Sequence, residues 1–306
     1  MTHAPNWCAT VRWPRLLVAI CAAGMLALTV HVTAVQWLHI ANPVFNSLPA
    51  DAVNTLVMVL AGAWLYDCLR PQLSGRSPAW RVIVLFAVLA CLNATVRNAF
   101  MTGYCSTTTP LRWLFGALSS IRPLAYFAIA AASIAGLCRF RPGAPRLAAG
   151  AVVAIVLALV VAPGLALGEQ AIYAQLANLL PSAGWCKLPY GMDVMVPAYL
   201  TAVEPALGSF ACIAIVWSRL PARPFLRTAS FVVLVLALKK HLLALFLYAA
   251  VTEGSVLDAL LSMGQLSLSV AVLGLLTVWG WRWAQRAPAS LTRAQASESR
   301  GPTGSL

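Results

Sequence analysis

Residues 147–167 read LAAGAVVAIVLALVVAPGLAL, an unbroken apolar run that follows Arg139, Arg141 and Arg146. About 20 such residues, rising about 1.5 Å each as a helix, cross the roughly 30 Å hydrocarbon core of a bilayer. Runs of the same kind recur along the chain, so the spans are predicted at roughly 16–38, 53–69, 81–101, 111–138, 147–167, 195–218, 228–250 and 259–281. With 61% hydrophobic and 9% charged residues and a mean hydropathy of +0.82, the chain lacks the charge to cover a water-facing surface. The alternation of a β-barrel strand is missing, so helices are left to satisfy the backbone in lipid. The expected fold is an all-α integral membrane protein of about eight transmembrane helices.

The net charge of +13 would suggest nucleic acid in a soluble protein. Here its placement speaks instead for orientation. One set of span ends carries Arg12 and Arg15; Arg70, Arg76 and Arg81; Arg139, Arg141 and Arg146; Arg219, Arg223 and Arg227; and Arg282, Arg286, Arg293 and Arg300. The other set is almost bare: residues 39–52 and 251–258 have no Lys or Arg, and 168–194 has only Lys187. By the positive-inside rule both termini are expected in the cytoplasm, in a bacterial-type inner membrane, with the bilayer and not nucleic acid as partner. The first apolar stretch is longer than a signal-peptide core and is expected to be a retained helix.

Topology sorts the eight cysteines. Cys8, Cys68 and Cys138 fall on the cytoplasmic side, and Cys21, Cys91 and Cys212 lie within spans. Cys105 and Cys186 are left in outer loops. If that side is oxidising, they are placed to form a disulfide; the alternative is two free thiols. No Cys/His cluster has metal-ligand spacing, so no metal site is expected.

The chain also matches itself. Pro14-Arg15-Leu16 before the first span recurs as Pro145-Arg146-Leu147 before the fifth. Ile40, Asn46, Leu48 and Pro49 align with Ile172, Asn178, Leu180 and Pro181, and Pro71 with Pro221. Arg81, Leu92 and Phe100 align with Arg227, Leu238 and Phe246. Apolar helices share Leu and Ala by chance, so the weight rests on the Pro, Arg and Asn matches. They point to a parallel 4+4 duplication, 1–143 and 144–286, followed by a disordered cytoplasmic tail at 287–306.

Ionisable groups inside a membrane are costly and mark candidate sites. The third span carries Asn93 and Arg97, the fourth Arg122, the sixth Glu204 and the seventh Lys239, Lys240 and His241. Counted from the cytoplasmic ends, the lysines lie about 18–20 Å deep and Arg97 about 24 Å deep. The repeat sets Lys239 opposite Asn93. Consecutive Lys239 and Lys240 cannot point the same way. One reading is a cationic cavity for an anion, with Arg97 and Arg122 as a clamp, Lys239 or Lys240 neutralising it, and Glu204 as counter-ion. The other is a structural network in which Glu204 pairs with a lysine. His31 and His241 are expected as hydrogen-bonded core histidines, not haem ligands, and no cofactor is expected.

Motifs for nucleotide hydrolysis, zinc proteolysis and serine hydrolysis are all missing. Asp51, Asp193, Glu253 and Asp258 are expected to be solvated in outer loops, and 171–180 to form a short helix on the outer surface. The leading expectation is a transporter or binding protein for an anionic small molecule or lipid headgroup, not an enzyme. The alternatives are a lipid-modifying enzyme using His241, and a non-catalytic membrane assembly or immunity factor.

Overall fold

The computed structural model of the protein describes residues 11–43, 47–106, 111–176, 186–252 and 255–285. The tail at 287–306 and the repeat matches at Asn46, Asn178, Leu180 and Pro181 lie outside them. Ten helices order the described chain: α1 (Trp13–Trp37), α2 (Leu48–Gln72), α3 (Pro78–Leu92), α4 (Thr95–Cys105), α5 (Arg112–Leu137), α6 (Ala144–Gln175), α7 (Met192–Arg219), α8 (Pro224–Leu238), α9 (Ala244–Val251) and α10 (Val256–Ala284). The one extended pairing among the described residues is an antiparallel bridge between Val11 and Gln285.

Six of these helices, α1, α2, α5, α6, α7 and α10, are long and apolar enough to cross a membrane. A seventh span results if α3 and α4, which meet at 46°, are taken as one. The architecture is that of a multi-pass membrane protein. The predicted span at 228–250 is interrupted: α8 has 15 residues, about 22 Å, and α9 only 8.

The outer face carries many large apolar side chains. Leu17, Val152, Val160, Val233 and Leu275 are exposed, as lipid-facing side chains must be. Inside, α1 packs along α10, α2 against α6, α3 against α5 and α7, and α8 against α10 and α2. Met58, Leu85, Leu89, Ile134, Ile213 and Phe231 fill the centre. Gly116 permits a close crossing of α4 and α5, because a Cβ there would stand 2.6 Å from the Ala99 oxygen. The small-residue stretch that begins at Gly116 therefore serves packing.

Helix α6 corrects the expected surface helix at 171–180. Residues 171–175 continue a single helix of 32 residues. A π-helical segment at Leu157–Val161 precedes Pro163, widening the turn where the proline ring would otherwise press on the preceding carbonyls. The helix then runs on through Glu169 instead of stopping at the end of its apolar run.

The two interrupted rods share a backbone design. Each begins with a proline at its N-terminus (Pro78, Pro224), where the missing amide is no loss. Arg81 Nε donates to the Leu73 oxygen at 3.2 Å, and Arg227 Nε to the Pro221 oxygen at 2.8 Å, so each ties its helix start to the preceding loop. After 15 residues each helix ends, and the second residue beyond it turns left-handed: Ala94 at φ 54° and Lys240 at φ 60°. The amide of Ala94 donates to the Cys91 oxygen at 2.9 Å, and that of Lys240 to the Ala237 oxygen at 3.0 Å. The wider bond of a Schellman ending runs from the His241 amide to the Leu236 oxygen at 2.8 Å; in the first rod the Thr95 hydroxyl takes that role, reaching the Ala90 oxygen at 3.0 Å.

Candidate functional site: a basic cavity between two broken helices

A broken helix leaves carbonyls bare at one end and amides bare at the other. In lipid neither can turn to water, so something in the protein must take them. At the break between α3 and α4 two charged side chains do so. The ammonium of Lys239 donates to the Leu92 carbonyl at the end of α3. The carboxylate of Glu204, on α7, accepts the amides of Val96, at 3.0 Å, and of Arg97 in the first turn of α4. Each charge matches the helix-dipole end it faces: cation at the C-terminus, anion at the N-terminus. The Asn93 amide nitrogen donates to the Leu89 oxygen at 2.9 Å. Asn93 is therefore part of the ending, not of a cavity wall.

Glu204 was expected to pair with a cationic side chain. It binds backbone instead, because a break exposes amides that no count of side chains reveals. Gly208, one turn further along α7, makes room for this contact: a Cβ there would lie 2.5 Å from the Leu92 nitrogen.

Beside the break lies a cavity of about 190 Å³. Its polar lining consists of His31 from α1, Arg97 from α4, Lys239 and His241 from the α8–α9 break, and Ser269 from α10. Gly24 and Ala202 close it on one side, in backbone contact that tolerates no side chain: a Cβ on Gly24 would be 2.4 Å from the Ala202 oxygen. Neither Arg97 nor Lys239 makes an ion pair among the described residues. Arg97 Nε and the Nδ1 atoms of His31 and His241 are buried without a hydrogen-bond partner. An orphaned guanidinium nitrogen beside an ammonium is an arrangement that a bound anion completes. The hydroxyl of Ser267 donates to the backbone oxygen of His241 at 3.5 Å and does not orient its ring.

The expected site therefore divides. Arg97, Lys239 and His241 converge on this cavity. Arg122 and Lys240 do not: they line a separate, larger cavity of about 730 Å³. There Arg122 pairs with Glu169 and Lys240 with Asp51, each at 3.1 Å. Lys239 reaches the Leu92 carbonyl, whereas Lys240, in its left-handed conformation, reaches Asp51. Asp51, expected in a solvated loop, stands in the first turn of α2 and holds Lys240. Glu169 was missed because the apolar run of the fifth span ends before it; only its place one turn beyond the Pro163-Gly164 interruption hints that the helix continues.

A disulfide joins Cys105 at the end of α4 to Cys186 before α7. No group of His, Cys, Asp and Glu among the described residues is arranged to hold a metal ion. No family model matches the chain, and comparison with the curated proteins and with the solved structures found no match.

Proposed function

We propose that this protein is a multi-pass transporter or binding protein for an anionic small molecule or lipid headgroup, which it holds at the cavity between the two helix breaks through Arg97 and Lys239. The observation that carries this reading is the unpartnered, buried Nε of Arg97 next to Lys239, in a cavity whose nearest carboxylate, Glu204, is already committed to the amides of α4. His31 and His241 add hydrogen-bonding nitrogens to the wall. The small volume suits a carboxylate, a phosphate or the acidic end of a longer molecule. Discontinuous helices flanking a central site are a recurrent transporter design, which makes transport the preferred form of the reading.

The wider frame belongs to the same proposal. The pairing of Val11 with Gln285 supports an even number of crossings between these two residues. On this reading the six long helices and the bent α3–α4 rod are joined by the interrupted α8–α9 rod, of 15 and 8 residues, as an eighth crossing. The shared left-handed endings at Ala94 and Lys240 support a parallel duplication of 1–143 and 144–286. The face with both ends is rich in arginine and is assigned to the cytoplasm of an inner membrane.

Native mass spectrometry of the gently purified protein, beside an Arg97→Gln, Lys239→Gln variant, tests the reading. A discrete acidic adduct on the wild type that the folded variant lacks is the expected result. A folded variant that keeps the adduct refutes it.

A further inference from the structure

The second cavity has a different chemistry from the first. Its wall carries two complete ion pairs, Lys240–Asp51 and Arg122–Glu169, each at 3.1 Å, so the charges cancel. Asn98, Thr102 and Ser119 add uncharged polar groups. The Lys240 ammonium stands 4.9 Å above the ring of Tyr126. Tyr126 is only 8% exposed, and its hydroxyl is buried with no hydrogen-bond partner although the residue lines the cavity.

Both pairs are partly exposed, with side-chain accessibilities of 47% and 21% for Arg122–Glu169 and 23% and 32% for Lys240–Asp51, and pairs of this kind add little stability. Two of them on one cavity wall, beside an orphaned hydroxyl, need another account. An anion entering here would meet two carboxylates and a cation two basic groups, so a singly charged guest gains little. A guest with both charges meets opposite partners at both ends and leaves the cavity neutral, the cheaper state at low dielectric.

We infer that the cavity between α2, α5, α6 and the α8–α9 break binds a small zwitterion, an amine joined to a carboxylate or a phosphate. Its acidic group is taken by Arg122 and Lys240, its ammonium by Glu169 and Asp51, and its remaining polar edge by the Tyr126 hydroxyl. In the empty protein the ion pairs hold these four groups in place for it. The site is independent of the basic cavity and stands whether or not that cavity binds an anion.

The test is calorimetric titration of the detergent-solubilised full chain with two zwitterions, phosphoethanolamine and β-alanine, and three controls that carry charge of one sign only, ethyl phosphate, propionate and ethylamine. At least one zwitterion is expected to bind about tenfold more tightly than either of the controls that match its two halves. Glu169→Gln is expected to erase that advantage and to strengthen the anionic controls, and Arg122→Gln to strengthen ethylamine instead. Such an exchange of preference between two folded variants is not produced by a purely structural pair. Equal affinity for zwitterions and controls, or no binding by any of the five, overturns the inference, as does a preference unchanged in both variants. Repeating the titration in nanodiscs separates the sources. Competition by ethanolamine lipid but not by glycerol lipid identifies a headgroup; unchanged binding identifies a free solute.

Discussion

The two broken helices begin alike and end alike, yet charge is used differently at each. At the α3–α4 break two charges are engaged by the backbone, Lys239 by the Leu92 carbonyl that ends α3 and Glu204 by the first amides of α4, and Arg97 alone is left to the cavity. At the α8–α9 break the amides of Lys240 and His241 close the turn themselves, and the side chains point away, Lys240 to Asp51 and His241 to the basic cavity. The first break is a capped joint; the second is a platform that presents charge. An ionisable residue inside a membrane is therefore not by itself a ligand-binding residue. It has to be asked first whether a helix end nearby claims it.

The largest effect expected from breaking this contrast is at Glu204. Glu204→Leu leaves two amides of α4 unpaired and should destabilise the protein by about 3 kcal/mol; Glu204→Gln, which keeps one acceptor, should lose about half of that. Thermal unfolding followed by tryptophan fluorescence reads both. If the two variants melt with the wild type, Glu204 is not a cap.

Gly208→Ala comes next. Its Cβ would meet the Leu92 nitrogen at 2.5 Å, a backbone atom that cannot move aside without disturbing the ending of α3. Overpacking of this kind costs about 1–3 kcal/mol. The same melt, together with faster proteolysis at the break, checks it.

At the second break Asp51→Asn removes the carboxylate facing Lys240. The pair is partly exposed, with side-chain accessibilities of 23% and 32%, so about 1 kcal/mol is expected. A loss as large as that of Glu204→Leu would mean that the second break, too, is held by charge.

The smallest effect separates the breaks most finely. Ala94 and Lys240 occupy equivalent left-handed positions, where a side chain costs roughly 1 kcal/mol and glycine does not. Ala94→Gly should be neutral or slightly stabilising, because nothing but a methyl group is lost. Lys240→Gly gains the same backbone relief but gives up the ion pair with Asp51 and the contact with Tyr126, and should be net destabilising. Equal shifts in the two variants would remove the distinction.

Much of this architecture was legible in the order of residues. Apolar runs placed the rods, and the assignment of Cys105 and Cys186 to loops expected on one side put them within reach of each other. The breaks themselves were hidden, because Ala94 and Lys240 carry no glycine or proline signal. With the breaks hidden, Glu204 had no visible backbone partner, and four cations looked like a single cluster. The Lys240–Asp51 and Arg122–Glu169 pairs join residues far apart in the chain, and only packing decides which carboxylate meets which base. The Thr95 hydroxyl, set two residues after Asn93 in an apolar run, was the one local mark of an interrupted helix.

The most direct test of the basic cavity is diffraction from crystals soaked in selenate, a tetrahedral dianion located by its anomalous scattering. The account predicts a selenium peak between His31, Arg97 and Lys239, with oxygens in hydrogen-bond reach of Arg97 Nε, and its loss in Arg97→Gln crystals. Selenate bound only along Arg139 and Arg141 at the basic face, with the cavity between the breaks left without a peak, would contradict it.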